Sequence, residues 1–201
     1  MQSCLRPTRR RVAGFTLIEL MVVIAIVAVL STLAAPSFRR IIQSNAIASG
    51  VNTFMADLRF ARSEAIRRGG EVVMCRSDAP EATTAVCGSN SGPNGNGWVS
   101  GWIIFHDING DGTRTSTEPL LRVQTPITNI DSIVEAGRGS SSTKFRFTAT
   151  GRFMTVSSAT NLQFGSNAQF DNTLQRIVCV SLGGRARVAG DGTSSCGTNY
   201  Q

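Results

Sequence analysis

The stretch GFTLIELMVVIAIVAVLSTLAAPSF, residues 14–38, decides the fold of this chain. From Leu17 to Ala35 it is apolar apart from Glu19 and two hydroxyl residues, which is long enough for a helix that crosses a bilayer. Four arginines lie in the first eleven residues, and this predicts that the N-terminus starts on the cytoplasmic side. A secretory signal would have a shorter apolar core and a small-residue cleavage site after it, so we expect this helix to stay in the mature protein.

Glu19 is a carboxylate inside this apolar segment, where a charge is costly unless it finds a partner. One interpretation is that it stays hydrated at the edge of the bilayer. The alternative comes from its context, since Gly14 precedes Phe15 and Glu19 is the fifth residue counted from Phe15. With GFTLIE at 14–19, a long apolar helix and Pro36, the sequence resembles the type IV pilin family.

The resemblance implies a processing pathway. A prepilin peptidase would cut between Gly14 and Phe15, so that residues 1–14 are a leader peptide, and the new amine of Phe15 would be methylated. Residues 15–36 would form a transmembrane and filament-core helix, in which Glu19 pairs with the N-terminal amine of a neighbouring subunit. The expected location is the bacterial inner membrane, as a single-pass protein with its head in the periplasm, and then the pilus at the cell surface.

Residues 37–69 are predicted to continue the helix as an amphipathic half. Apolar residues recur there at helical steps of three and four, so one face should be buried, and Gly69 and Gly70 should end the helix. The expected buried face comprises Phe38, Ile41, Ile42, Ile47, Val51, Phe54, Met55, Leu58, Ala61, Ala65 and Ile66. The opposite face carries Arg39, Arg40, Asn45, Arg59, Arg67 and Arg68.

Residues 70–201 are predicted to form a β-rich head domain, because short β-like segments separated by turns replace the helical pattern. The fold class is therefore α+β, with a long N-terminal helix and an antiparallel β-sheet packed on it, as in type IV pilins. The predicted strands are EVVMCR (71–76), WVSGWIIFHD (98–107), PLLRVQ (119–124), KFRFTAT (144–150), RFMTV (152–156), NLQFG (161–165) and QRIVCVS (175–181).

The net charge of the chain does not identify a binding partner. The chain carries 20 basic and 13 acidic residues, but loss of the leader would leave a net charge of only about +3. The cysteines are more informative. Four of them remain outside the leader in a chain with an export-like N-terminus, and this indicates an oxidising compartment. Pairing of neighbours in sequence gives Cys75–Cys87 and Cys179–Cys196, while two other connectivities stay open.

No pattern of catalytic residues stands out, and we expect no enzyme activity. The single histidine, His106, has no recognisable nucleophile elbow beside it and is interpreted as a strand-end residue. With no Cys-x-x-Cys spacing, a structural metal centre is not expected and no cofactor is predicted.

One segment fits a metal-binding pattern. DINGDGTRTSTE, residues 107–118, matches the calcium-loop spacing, with oxygens from Asp107, Asn109, Asp111 and Glu118 and the sharp turn at Gly112. Its flanks are strand-like rather than helical, and the same residues suit a tight turn between strands. We expect the turn and keep calcium as the alternative.

A narrower resemblance covers nearly the whole chain from Gly14 onwards. GWIIFHDINGDG (101–112) and FMADLRFARSEAIRRGGEVVMCRS (54–77), with the anchor, are similar to the FimT/GspH branch of minor pilins and pseudopilins, and most similar to its FimT members. GspH-like members are structural pseudopilins of the type II secretion machine. FimT-like members belong to type IV pili, and some bind DNA in natural transformation. The expected partners are other minor and major pilins, the prepilin peptidase and, in the FimT case, double-stranded DNA.

GGRARVAG, residues 183–190, favours the FimT case. Gly184, Arg185 and Arg187 match the GRxR motif that the resemblance assigns to DNA binding. Arginine forks suit phosphates, and contacts of this kind are independent of base sequence and sensitive to salt. The alternative is that both arginines are the solvated face of an edge strand, where charge discourages aggregation. Further basic residues that would extend a DNA-binding surface are Arg138, Lys144, Arg146, Arg152 and Arg176.

Overall fold

The computed structural model describes residues 14–135, 144–154, 160–165, 173–181, 183–189 and 195–196, without the side chains of 34–36. Helix α1, Leu17–Arg68, is followed by antiparallel strands, so the α+β class predicted from the sequence is confirmed. The chain divides into two compact units, residues 1–40 and 41–201. We call the second one the head unit.

The first turn of α1 is closed by Thr16 and Glu19. The Thr16 amide donates to Glu19 Oε2 at 2.9 Å, and the Glu19 amide donates to Thr16 Oγ1 at 3.2 Å. This reciprocal pair is a capping box, which satisfies two backbone donors that a helix start otherwise leaves free. Glu19 therefore has a partner within its own chain.

The apolar side chains of the first unit are uncovered. From Phe15 to Leu33 each large apolar side chain is at least 52% exposed. Within the described residues no single helix meets the length and apolarity expected of a membrane span, whereas the bent pair Leu17–Leu33 and Ser37–Arg68 does so by length and composition alone. An apolar surface of this extent needs a cover of lipid or protein.

In the head unit, α1 buries the predicted apolar face, at Ile47, Val51, Phe54, Met55, Leu58, Ala61 and Ala65. The prediction was wrong for Phe38, Ile41, Ile42 and Ile66, which are 49–65% exposed. The first three precede the part of α1 against which the sheets pack, and Ile66 lies one position beyond the buried stripe at Ala65. The described core residues lie between Ile47 and Ala189, all within the head unit, so we expect the head unit to fold without residues 1–40.

Two four-stranded antiparallel sheets cover α1, where the sequence suggested one. Sheet A has the order β3-β2-β1-β5 and sheet B the order β4-β6-β7-β8. The strands are β1 Glu71–Arg76, β2 Trp102–Asp107, β3 Leu120–Gln124, β4 Ser132–Glu135, β5 Lys144–Phe147, β6 Thr160–Gly165, β7 Arg176–Val180 and β8 Ala186–Val188.

Three predicted strands differ from the structure by more than one residue at an end. The segment predicted over 144–150 stops at Phe147, where β5 ends and a turn begins. Residues 98–100 form a short 3-10 turn instead of the start of β2, because Gly97 and Gly101 flank it with φ of +68° and +101°. In 152–156 only a single bridge between Phe147 and Phe153 forms among the described residues, while 155–156 lie outside them.

The inner faces of both sheets meet α1 in one core. Val72, Met74 and Ile104 of sheet A and Leu162 and Val178 of sheet B belong to the same cluster as the helix residues. The alternate residues of β1 and β2 face outward into a second, smaller cluster that Ala85 covers. Ile177 and Cys179 of β7 likewise form an outer cluster on sheet B, so each sheet has a helix face and an outer face.

Each outer face is tied to a loop by a disulfide bond. The structure forms Cys75–Cys87 on sheet A and Cys179–Cys196 on sheet B, the pairing of sequence neighbours. Arg76, the last residue of β1, is only 1% exposed; it pairs with Asp78 and donates from Nη2 to the Ser89 carbonyl at 2.6 Å. This buried guanidinium orders a polar loop that has little apolar core of its own.

Candidate nucleic-acid interface

The arginine motif lies where β7 turns into β8. The Gly184 amide donates to the Ser181 carbonyl and the Ser181 amide donates to the Arg185 carbonyl, both at 2.9 Å. Gly184 has a φ of +75°, and a Cβ added there would lie 2.6 Å from the carbonyl oxygen of Gly151. Glycine is therefore required for both the left-handed backbone and the close approach of two turns.

The two arginines of the motif are both exposed but occupy different places. Arg187 pairs with Cys179 in the β7–β8 ladder, so it projects from the outer face of sheet B. Arg185 lies in the turn before β8, next to Ala186, which packs against the main core. Since β8 ends the described order of sheet B, the alternative that Arg187 belongs to an edge strand agrees with the structure.

Arg185 also lines a groove between this turn and α1, which we call the arginine groove. Arg59, Arg62, Ser63 and Ile66 line it on the helix side, and residues 184–186 line it on the hairpin side, around a volume of about 440 Å³. Arg62 is half-buried and donates from Nη1 to the Gly184 carbonyl at 3.4 Å, a long hydrogen bond. The sequence placed Arg59 on the solvent face of α1 and gave no sign that the hairpin lies beside it.

Carboxylates of α1 do not neutralise this groove. In the head-unit half of the helix the acidic residues are Asp57 and Glu64. Asp57 accepts from Trp102 and Arg122, and Glu64 accepts from Arg67 at 2.6 Å and from Arg68 at 2.8 Å.

The electrostatics of Glu64 agree with this pairing. The hydrogen bond from Arg67 lowers the pKa of the Glu64 carboxyl to about 2, while burial opposes the change and Arg68 adds to it. Glu64 is therefore ionised and bound to its own partners at neutral pH.

Other basic residues that the sequence suggested for a DNA surface have structural partners. Lys144 donates to the Gly112 carbonyl at 2.7 Å, and Arg146 pairs with Glu71 and donates to the Gly110 carbonyl at 2.7 Å. The hydrogen bond to Glu71 raises the pKa of Arg146. Arg152 is exposed, Arg176 is half-buried in β7, and Arg138 lies outside the described residues.

Residues 107–118 form the turn between β2 and β3. Asp107 accepts backbone N–H groups of Gly110 and Gly112 at 2.8 and 2.7 Å, and Glu118 accepts those of Ile108 and Thr115 at 3.0 and 2.7 Å. Burial acts to raise the pKa of Glu118, but these amide hydrogen bonds outweigh it and the net shift is downward.

The remaining oxygen ligands of the calcium pattern are paired with each other or with the backbone. The Asn109 side-chain amide donates to Asp111, which also accepts the amide of Thr113. In the part of the chain that the structure describes, no three His, Cys, Asp or Glu side chains converge in a way that suits a metal ion. His106 lies in β2 opposite Val72, near the strand end, as the sequence suggested.

We expect millimolar calcium to leave the melting temperature of the head unit unchanged, because the carboxylates of this turn already accept backbone amides. Thermal unfolding followed by circular dichroism with calcium, with magnesium and with a chelator measures this. A rise with calcium alone that disappears in Asp111→Asn, a change at an exposed residue, would contradict the prediction.

The processing residues are accessible. Phe15 is 90% exposed, and a Cβ at Gly14 would meet no atom within 4 Å. No contact within the described chain therefore requires glycine at position 14. A requirement for glycine there would have to come from contact with another molecule. The sequence reasoning overlooked the capping role of Glu19, although Thr16-x-x-Glu19 carries the signature of a capping box.

Comparison with known proteins gives two family matches and a structural one. The model of the type II transport protein GspH matches residues 50–184, and that of the prokaryotic N-terminal methylation motif matches residues 9–35. The crystal structure of the type IV minor pilin FimU of Pseudomonas aeruginosa has a similar fold, with a TM-score of 0.53, 18% sequence identity and coverage of 76% of this chain and 96% of that one. The GspH match ends at Gly184, one residue before the first arginine of the motif.

Proposed function

The chain belongs to the GspH family of type II transport proteins, and from this premise we propose that it is a FimT-like minor type IV pilin that binds extracellular DNA for uptake in natural transformation. Its N-terminal methylation motif implies membrane anchoring and association with a pilus or the cell surface. The pilin-like fold agrees with a structural, non-enzymatic role.

The proposed maturation follows from the N-terminal motif. Prepilin peptidase cuts between Gly14 and Phe15, the Phe15 amine is methylated, and Glu19 pairs with the amine of a neighbouring pilin. The exposure of Gly14 and Phe15 supports cleavage at this bond, and the uncovered apolar surface up to Leu33 supports an anchor that lipid or a filament covers. The anchor would then move from the inner membrane, with the head in the periplasm, into the filament.

The observation that carries the DNA-binding proposal is the β7–β8 hairpin, which presents two exposed arginines at the edge of sheet B. The guanidinium group of Arg185 has no hydrogen bond or ion pair among the described residues, so it can bind a phosphate without giving up a partner. The Cys179–Cys196 disulfide tethers the segment that contains both arginines and limits the entropy lost on binding. Contacts to phosphates fit a receptor that takes up DNA of any sequence.

The test is a mobility-shift titration of the oxidised head unit with a DNA duplex at two salt concentrations. We expect binding that weakens with salt and is lost in Arg185→Ala/Arg187→Ala, because both arginines are exposed and their removal spares the core. Arg114→Ala/Lys144→Ala removes the same charge at two residues that donate to the Ala85 and Gly112 carbonyls, frees no carboxylate, and should bind like the wild type. Retained affinity in the first variant at moderate salt would refute the assignment.

A second candidate function is that of a structural subunit of a type II secretion pseudopilus, or of a pilus, without DNA binding. It is favoured by the GspH match and by Arg187 in an edge strand, where charge prevents unwanted strand pairing. Absence of any shift with the intact, disulfide-bonded head unit would favour this function, since assembly needs α1 and Glu19 but not the hairpin.

A further inference from the structure

The arginine groove is lined by three arginines, and two of them, Arg59 and Arg62, lie outside the GRxR motif. Arg59 and Arg62 lie one helical turn apart on α1, so their side chains project from the same side of the helix towards the hairpin that holds Arg185. Among the described residues, the lining therefore contains three guanidinium groups and no carboxylate. Charge of one sign along a groove attracts a polyanion and raises its local concentration.

The arginines of this groove are available to a ligand. Arg59 and Arg185 are exposed, and Arg62 makes one long hydrogen bond to a backbone carbonyl. The carboxylates of this half of α1 are bound to other donors, Glu64 to Arg67 and Arg68 in particular. A phosphate that enters the groove therefore displaces no internal ion pair.

The apolar part of the lining suits the sugar of a nucleic acid. Ile66 is 52% exposed, although it sits beside a well-packed helix face, and Ala186 lies opposite it on the hairpin. An apolar side chain beside several arginines offers contact to a deoxyribose while the guanidinium groups bind the flanking phosphates. A simple anion such as inorganic phosphate would leave this surface unused.

We infer that the arginine groove seats the sugar–phosphate backbone of bound DNA, with Arg59 and Arg62 of α1 contacting phosphates beside Arg185. This inference rests on the proposed function and extends it from the hairpin to the helix. Arg187 projects from the outer face of sheet B and is not part of the groove lining. The helix thus serves both as the support of the core and as one wall of the binding site.

The variant Arg59→Gln/Arg62→Gln tests the groove, in the head unit and in the full chain held in detergent micelles. Fluorescence anisotropy with a labelled duplex should give a Kd raised roughly tenfold or more, since two charge-assisted contacts are lost. The slope of log K against log salt should fall by about 2, one for each phosphate contact. Arg114→Gln/Lys144→Gln, which removes two charges outside the groove without freeing a carboxylate, should change neither quantity to this extent.

A second variant, Arg59→Glu, tests the groove without changing a residue that contacts the hairpin. Arg62 donates to the hairpin turn, whereas Arg59 is exposed, so Arg59→Glu should keep the wild-type melting temperature and still weaken binding more than Lys144→Glu does.

Failure of the groove and failure of the proposed function give different results. Loss of binding in Arg185→Ala/Arg187→Ala with unchanged Kd and salt slope in both groove variants would overturn the groove and leave the hairpin as the receptor. No binding by the wild type would overturn both. Equal losses in Arg59→Gln/Arg62→Gln and Arg114→Gln/Lys144→Gln would also overturn the groove, because they would reflect net charge alone.

Discussion

The Phe54→Ala head unit is expected to lose about 3–5 kcal/mol of its free energy of unfolding. Phe54 is completely buried on α1, and its ring centroid lies 5.4 Å from those of Trp98 and Trp102, 5.9 Å from Phe145 and 5.6 Å from Phe164. All four contacts are edge-to-face, an arrangement that adds to the energy of burial. Because Trp102 and Phe145 belong to sheet A and Phe164 to sheet B, alanine would open a cavity where the two sheets and the helix meet.

Urea unfolding followed by far-UV circular dichroism measures this loss without relying on the fluorescence of the nearby tryptophans. Phe54→Leu is the matched control, since it keeps most of the apolar volume and should cost clearly less. A loss below about 1 kcal/mol in Phe54→Ala would mean that the core closes over the cavity, contrary to the central position assigned to this ring.

The second large effect is expected at Asp57, a buried carboxylate on the same helix. It accepts a hydrogen bond from Trp102 Nε1 at 2.8 Å and one from Arg122 Nη1 at 2.5 Å, and the Arg122 guanidinium stacks 4.2 Å above the ring of Phe60. Asp57→Ala leaves the buried indole N–H without an acceptor and Arg122 without its ion partner. We expect a loss of about 3 kcal/mol, at the low end for a broken buried pair because Arg122 is partly exposed.

Two controls separate the contributions. Asp57→Asn keeps an acceptor for the indole and removes only the charge, so it should cost less than Asp57→Ala. A double-mutant cycle with Arg122→Ala isolates the ion pair. If Arg122→Ala alone destabilised the head unit as much as Asp57→Ala, the hydrogen bond of Trp102 would have no measurable role.

The helix and most strands were predictable because their signals are local. The steps of three and four from Ile47 to Ala65 identify one helical face, and alternation in β5 separates Phe145 and Phe147 from Lys144. Each of these patterns reflects the burial of neighbouring residues in one element. Such signals need no knowledge of the rest of the chain.

The division into two sheets was not predictable in this way. β4 has four residues, Ser132–Glu135, and pairs with β6, about 30 residues further along, so its strand character depends on a distant partner. The turn at Trp98 contains aromatic and β-branched residues, which favour a strand when the sequence is considered alone. The positive φ of Gly97 and Gly101 distinguishes this turn from a strand in the structure.

The same distinction applies to the candidate site. The pair Arg185 and Arg187 is visible in four consecutive letters of sequence, whereas Arg59 and Arg62 acquire meaning only when α1 and the hairpin lie side by side. Periodicity predicted that Arg59 lies on a solvated face, and its exposure confirms this. Periodicity cannot show that the β7–β8 hairpin lies beside Arg59. Lys144 and Arg146 show the opposite case. Their charge suggested a binding surface, but in the structure both side chains donate to backbone carbonyls of the turn between β2 and β3.

The capping box at the start of α1 changes how the proposed pairing of Glu19 should be understood. Its carboxylate accepts the amide and the hydroxyl of Thr16 at one oxygen, Oε2, and among the described residues Oε1 is left for the amine of a neighbouring subunit. The cap therefore orients the carboxylate before the neighbour arrives, so that less side-chain freedom is lost in the proposed pairing. In the proposed filament, Glu19 would be an acceptor that its own helix has already positioned, and two subunits would stop at the height where the amine meets Oε1.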